Sequence, residues 1–345
     1  MDPFIETAAR YIINPHIEHL TLFVTQRCNI SCRTCFVDLS KEDKNDELSI
    51  EEIKDIRKVL GKVSLLNIGG GEPFLREDLA EIIKIFSDAS SVGLPTNGWY
   101  TEKVLSGIAE ILKVVKTSQL GLMVSIDGFE QTHDFIRVKG SFGRAIETLQ
   151  KVREFFPDLL VQVNTVLCNY NFPELLDLID FVKQFQPSHH SIFLLRGQPA
   201  DKQCAMPPIK DIKVLLPKIL DRLRGYNYHR RGLAAFIASN YHRYMLDLSL
   251  RILENQRQLI PCLAGKASLV IYADGKVAPC ELLEPVGSLR PHGLESVLKS
   301  QVYRDALRKI NGKGCYCTHN CNMTENILFN PLNYLRLLGI KVGGY

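Results

Sequence analysis

The chain lacks any uninterrupted apolar run of the about 20 residues that a membrane-spanning helix needs. Its start, Met1-Asp2-Pro3-Phe4, has no basic segment followed by an apolar core, so it does not read as a secretory signal. Dense Lys/Arg runs are missing, and a formal net charge of +4 over 345 residues is mild, so nothing here supports a nucleic-acid binder. Cysteine is too thin for a disulfide scaffold, with 10 in the whole chain. Those cysteines are clustered, and clustering points to metal; thiols kept for that purpose imply a reducing, cytoplasmic setting. The 46% hydrophobic content is ordinary and can bury the core of one large domain, alone or with a small second one.

What is present begins with Cys28-Asn29-Ile30-Ser31-Cys32-Arg33-Thr34-Cys35, directly after the apolar run His19–Thr25. Three thiolates in one short loop can ligate three irons of a cubane cluster. No fourth cysteine lies near, so one iron stays open, as a catalytic metal site keeps a free position. A zinc knuckle short of one ligand, or three buried thiols, are the competing readings of the spacing alone.

Residues 1–17 read as a leader of one or two helical turns, too short for a winged-helix peptide-recognition domain, which counts against a ribosomal-peptide substrate. From residue 19 strands and helices alternate. Strands are expected at Leu20–Thr25, Ser64–Ile68, Val92–Pro95, Leu120–Ile126, Leu159–Leu167 and Ser191–Leu195. Lys41–Glu47 is a charged loop, and Ser49-Ile50-Glu51-Glu52 is a capping box opening a helix to about Leu60. Further helices are expected at about Glu77–Ala89, Thr101–Val115, Phe142–Phe156 and Pro173–Phe185, the last with Pro in its first turn. Six such alternations argue for a parallel sheet with right-handed crossovers, open rather than closed into an eight-fold barrel. Ligands then belong at the C-terminal strand ends.

Ile209–Leu223 and Leu233–Glu254 are amphipathic helices, read as a packing face on the barrel, with a substrate-facing lid as the sharper alternative. Asp274-Gly275 between two alternating runs signals a hairpin, which lets Cys262 and Cys280 converge at its ends. Cys315, Cys317 and Cys321 follow, with His319 among them as a structural residue. The apolar tail 326–345 is expected to pack on this region; a membrane-surface role is the weaker alternative. Cys168 and Cys204 read as ordinary thiols.

The triad, then Gly69-Gly70-Gly71-Glu72-Pro73, Thr96-Asn97-Gly98 and Ser125-Ile126-Asp127-Gly128 in order, resembles the radical S-adenosylmethionine (radical SAM) superfamily. Thr132–Arg137 with Gly140-Ser141-Phe142, and later Gly287-Ser288-Leu289, is similar to the subgroup with a C-terminal SPASM or twitch extension. The likeness covers about residues 18–325. One departure is Thr34, where the family carries an aromatic or large apolar residue; Phe36 is expected to supply that surface.

The resemblance implies an α/β fold: a partial (β/α)6 TIM-like barrel with a small C-terminal β-hairpin/helix iron–sulfur module. Leader 1–17, barrel 18–200, helical linker 201–257, cluster module 258–325 and tail 326–345 are the implied units. Cys28, Cys32 and Cys35 would hold a [4Fe–4S] cluster whose open iron takes the amino and carboxylate groups of S-adenosylmethionine. An electron from the cluster would cleave the sulfonium bond to a 5′-deoxyadenosyl radical that abstracts hydrogen from substrate. Gly70 and Gly71 carbonyls and Glu72 would meet the ammonium, Ser125 and Arg137 the carboxylate, Asn97 and Asp127 the ribose, and Leu167 the adenine. His133 and Asp134 are expected to be structural.

Cys262, Cys280 and two of Cys315, Cys317 and Cys321 would hold one auxiliary [4Fe–4S] cluster, with a zinc site on the same ligands as the alternative. An oxidoreductase acting on a small molecule or peptide follows, fed by a flavodoxin- or ferredoxin-type reductant. A protein- or peptide-modifying maturase of the same superfamily stands second. From other classes, a non-catalytic iron–sulfur electron carrier or a zinc-stabilised scaffold stays open, and SAM cleavage separates both from the enzyme.

Overall fold

In the computed structural model, which describes residues 3–37, 46–224, 226, 232–312, 314–316, 318 and 320–338, six strands run parallel through the first part of the chain. They are β1 (His19–Phe23), β2 (Leu65–Gly69), β3 (Ser91–Thr96), β4 (Leu120–Ser125), β5 (Leu160–Leu167) and β6 (His189–Leu194). Their order is β6-β5-β4-β3-β2-β1, and β6 does not return to pair with β1, so the barrel stays open. This is the partial α/β barrel that the alternating pattern implies.

Helix α1 (Pro3–Ile13) precedes the sheet, and α2 (Ile50–Leu60), α3 (Leu79–Ile85), α4 (Thr101–Ile111), α5 (Glu130–Ile136), α6 (Ser141–Phe155) and α7 (Leu175–Lys183) fill the crossovers. The box at the start of α2 forms in both directions: Ser49 Oγ accepts from Glu52 N–H at 3.2 Å, and Glu52 Oε2 from Ser49 N–H at 2.8 Å. Of the expected loop Lys41–Glu47, residues 41–45 lie outside the described residues. Leu20, Leu66 and Leu94 from the strands meet Ile82, Ile83 and Ile108 from the helices in the main core, all fully buried.

Two longer helices follow, α8 (Ile209–Leu223) and α9 (Gly232–Asn255). Ile212, Ile219 and Leu250 insert into the main core, so the pair packs on the barrel. Then come β7 (Ser268–Ile271), β8 (Lys276–Ala278) and the short β9 (Gly287–Ser288), and after them α10 (Gly293–Lys299), α11 (Gln301–Asn311), α12 (Asn320–Leu328) and α13 (Pro331–Leu337). The hairpin β7–β8 turns at Asp274-Gly275, where Gly275 takes φ +82°, a conformation glycine adopts without strain.

The sequence pattern does not reveal where this hairpin docks. β7 pairs in parallel with β1, register His19 to Ser268 through Leu22 to Ile271, making one nine-stranded sheet. The N-terminal leader and the C-terminal tail also meet: Ala8 and Tyr11 of α1 share a second core with Leu248 of α9, Met323 and Ile327 of α12 and Leu337 of α13. Tyr11 stacks on Phe329 with centroids 4.8 Å apart.

The β1 exit, which leads to Cys28, is held by a buried guanidinium. Arg76, 8% exposed, donates to the Val24 carbonyl at 3.0 Å and the Leu48 carbonyl at 2.7 Å, and pairs with Asp78 and with Glu47. Arg27 meets the same Glu47 at 2.9 Å. Replacing Arg76 by Ala strands buried carbonyls and carboxylates, and it is expected to cost about 3–5 kcal/mol. A fall in the denaturant midpoint measures this. Arg76→Lys is expected to recover only part of the loss, because one ammonium cannot make the forked set.

Candidate active site

Every strand from β1 to β6 releases a loop at the same end of the sheet, and those loops enclose one cleft. Cys28, Cys32 and Cys35, Phe36, Gly70, Gly71, Glu72, Asn97, Ser125 and Arg137 all line it. Ile30, Thr34, Pro73, Pro95, Thr96, Val166 and Arg196 line it as well. A cradle of bare backbone forms one wall. A Cβ at Gly70, whose φ is +142°, would come within 2.5 Å of the Thr25 carbonyl oxygen. One at Gly71 would come within 2.2 Å of the Arg27 carbonyl oxygen and 2.8 Å of Cys28 Cβ. Only glycine lets this turn press against the cysteine loop.

Two buried carboxylates knot the strand ends together. Glu72 Oε2 accepts from Asn97 N–H at 2.7 Å and Oε1 from Phe74 N–H at 3.3 Å, fastening the glycine turn to the end of β3. Burial pushes the Glu72 carboxyl up to about 7, against the pull of those N–H donors. Asn97 continues the knot: Nδ2 donates to Asn29 Oδ1 at 2.9 Å and lies 3.9 Å from Cys28 Sγ, while Oδ1 accepts from Trp99 N–H.

Asp127 is the second carboxylate. Oδ2 accepts from Arg137 Nε at 2.8 Å and Oδ1 from Val166 N–H at 2.8 Å. The expected ribose contact at Asp127 is therefore corrected: the residue is fully buried behind the cleft wall, and both oxygens are committed to the fold. Arg137 turns its remaining nitrogens toward the thiols, with Nη1 3.8 Å from Cys32 Sγ. Burial works against its charge, but Asp127 and Cys32 hold the guanidinium protonated.

Leu167 is also corrected. At 1% exposure it points into the main core, and its neighbour Val166 faces the cleft. Side chains alternate along β5, so one residue of offset changes the face. His133 stands behind the site: Nδ1 accepts from Asp127 N–H at 3.1 Å, and burial with the Arg137 charge pushes the ring down to about 2, leaving it neutral. Asp134 accepts from Ser141 Oγ and Phe142 N–H at the start of α6.

Arg196, at the exit of β6, escapes sequence reasoning because a lone Arg-Gly carries no motif. Its guanidinium lies 5.0 Å from the Phe36 ring centroid and 3.8 Å from Glu281 Oε2. Glu281 follows Cys280, so this contact joins the cleft to the C-terminal module. There Cys262, Cys280 and Cys315 gather in one small cluster with Ala264 and Ile310. Cys317 and His319, and the side chain of Cys321, lie outside the described residues. Cys168 and Cys204 are free thiols, buried side by side next to Ile136.

The residues of the 28–35 loop fit a cubane. The three thiols share one cleft, yet among the described residues no three His, Cys, Asp or Glu side chains converge on a single-ion position. Zinc draws every sulfur to about 2.3 Å from one centre, whereas a cubane takes each thiolate at a different iron. Burial raises the pKa of all three, Cys32 to about 12, and the neighbouring thiols add to the rise at Cys28 and Cys32. Empty, the loop is thus protonated at neutral pH, and loading it with iron must expel those protons. Iron bound per chain is accordingly expected to rise as the pH of reconstitution is raised; a flat profile would contradict it.

Comparison with known proteins agrees with this geometry. The model of the radical SAM superfamily matches residues 22–182, and that of the SPASM iron–sulfur cluster-binding domain matches residues 262–322. The AdoMet-dependent heme synthase of Methanosarcina barkeri is 25% identical over 305 residues, covering 81% of this chain and 82% of that one. The mycofactocin maturase MftC of Mycolicibacterium smegmatis is 33% identical over 138 residues, covering 39% of this chain and 33% of that one. Among solved structures, SuiB of Streptococcus suis bound to S-adenosylmethionine superposes with a TM-score of 0.62 at 16% identity, covering 84% of this chain and 67% of that one. No described helix is long and apolar enough to cross a membrane. The open α/β sheet, the three-thiol cleft and both family matches agree: the chain carries a radical SAM domain over residues 22–182 and a SPASM domain over residues 262–322.

Proposed function

We propose that the protein is a radical SAM oxidoreductase whose reacting centre is the cleft at the strand ends. The carrying observation is the convergence there of three thiols, a glycine backbone cradle, Ser125 and Arg137. When bound, the cluster and S-adenosylmethionine supply a reducing electron and a 5′-deoxyadenosyl radical that takes hydrogen from substrate. Cys28, Cys32 and Cys35 hold the cluster. Gly70 and Gly71 offer carbonyls to an ammonium, and the Arg137 nitrogens not engaged by Asp127, with the Ser125 hydroxyl, receive a carboxylate. Asn97 and Glu72 keep these groups in register, and Phe36 and Val166 supply apolar surface.

The substrate is a small molecule or peptide and its transformation oxidative; Cys262, Cys280 and two of Cys315, Cys317 and Cys321 would hold an auxiliary cluster, which would supply an electron acceptor there. A relative matched over most of both chains is named a heme synthase, which supports a compact substrate, and another matched as broadly is named a sporulation killing factor maturation protein, which supports a peptide. The partial match to a mycofactocin maturase supports a peptide-modifying enzyme as the second reading. The units 1–17, 18–200, 201–257, 258–325 and 326–345 remain a useful division of labour, although leader and tail share one core. The reductant is of flavodoxin or ferredoxin type.

Anaerobic reconstitution followed by dithionite and S-adenosylmethionine tests the reading. Two cubanes give about eight irons per chain, and 5′-deoxyadenosine is the expected product. Cys32→Ala is expected to abolish that product. Arg137→Ala is expected to keep its iron but bind S-adenosylmethionine about ten- to a hundredfold more weakly, the worth of a charge-assisted hydrogen bond. Absence of both SAM binding and 5′-deoxyadenosine in the iron-loaded protein would sink the proposal.

A further inference from the structure

We infer that Asn322 is a positioning residue that raises the reduction potential of the auxiliary cluster through its hydrogen bond to Cys280, an inference that rests on reading 262–322 as a cluster-binding module.

Asn322 lies in the first turn of α12 and is 4% exposed. Its Nδ2 donates to Cys280 Sγ at 3.1 Å, and its Oδ1 accepts from Ser268 Oγ at 3.0 Å, both contacts being buried. Chemistry fixes which way the amide points. A sulfur bound to iron carries no proton, so it can only accept; the amide must turn its NH2 to Cys280 and its oxygen to the Ser268 hydroxyl.

The helix that carries Asn322 has little freedom. Glu325 meets His19 Nδ1 on β1 at 2.5 Å, and Asn326 Oδ1 accepts from Leu263 N–H at 2.7 Å, beside Cys262. Met323 and Ile327 are fully buried in the core shared with α1 and α9. Pinned on two faces, α12 holds the amide against the sulfur. The Leu282 N–H approaches the same sulfur at 3.5 Å, so two N–H donors face Cys280.

An N–H donor directed at a ligating sulfur withdraws electron density from it. Reduction adds negative charge to the cluster, so the donor stabilises the reduced state and raises the potential. The effect is strong here because the contact is dry. A residue that only packed α12 onto β7 would leave the potential unmoved.

The test uses the full chain, reconstituted anaerobically, with iron and zinc counted per chain. Each cluster is then titrated redox-wise by electron paramagnetic resonance, the Cys28–Cys35 signal being set apart by its response to S-adenosylmethionine. In Asn322→Leu, close in volume, the auxiliary midpoint is expected to shift to lower potential while the SAM-responsive midpoint stays in place. Ser268→Ala, which leaves the amide but frees its orientation, is expected to shift the same way by less. An auxiliary midpoint equal to wild type in Asn322→Leu overturns the inference. If that variant loses its auxiliary iron, Ser268→Ala decides alone: a lowered midpoint supports the inference, and an unchanged one overturns it. Zinc in place of auxiliary iron in the wild type would overturn the module reading and the inference together, with the Cys28–Cys35 cluster untouched.

Discussion

Two buried carboxylates, Glu72 and Asp127, hold the cleft in shape. Each is fixed by backbone N–H groups from strand ends other than its own: Glu72 by Asn97 after β3, Asp127 by Val166 in β5. A loop at a strand end is otherwise free to wander, because its backbone groups have left the ladder. A buried acceptor that must be satisfied removes that freedom, since leaving it unpaired costs more than ordering the loop. From Glu72 the constraint passes through Asn97 to Asn29 and Cys28, and from Asp127 through Arg137 to Cys32. Cys28 and Cys32 of the cysteine loop are thereby each tied to a buried carboxylate.

The same burial sets the electrostatics. Thiols that burial holds protonated and a carboxyl lifted to about 7 describe a cleft that resists extra negative charge. Arg137 is the counterweight, kept charged by Asp127 and aimed at Cys32. A cluster held by three thiolates and a carboxylate-bearing ligand would find that cation, together with the charge of the iron itself, as their balance.

Much of this was legible in the residues, and the reasons differ by element. The capping box at Ser49 and Glu52 is local chemistry, decided within four residues, and it forms as its spacing requires. The cysteine loop, glycine turn, Asn97, Ser125 and Arg137 each follow a strand, so a correct strand count alone carries them to one end of the sheet. Leu167 and Asp127 were misjudged because face and depth depend on register and on partners 39 residues away, as in the Asp127–Val166 bond. Arg196 carries no pattern at all; its place comes from Phe36 and Glu281, distant in sequence. Nor does any periodicity announce that β7 pairs with β1, since a buried strand presents the same apolar face to any neighbour.

That last pairing has mechanical meaning. The cysteine loop leaves the end of β1, and the hairpin carrying Cys280 begins with β7, hydrogen-bonded alongside it. The cysteine loop and the hairpin that leads to Cys280 therefore belong to one continuous sheet. The distance from that loop to the start of the hairpin is thus fixed by a strand ladder and not by a flexible linker. Helices α8 and α9 and the loops can be remodelled around a new substrate while that spacing stays the same.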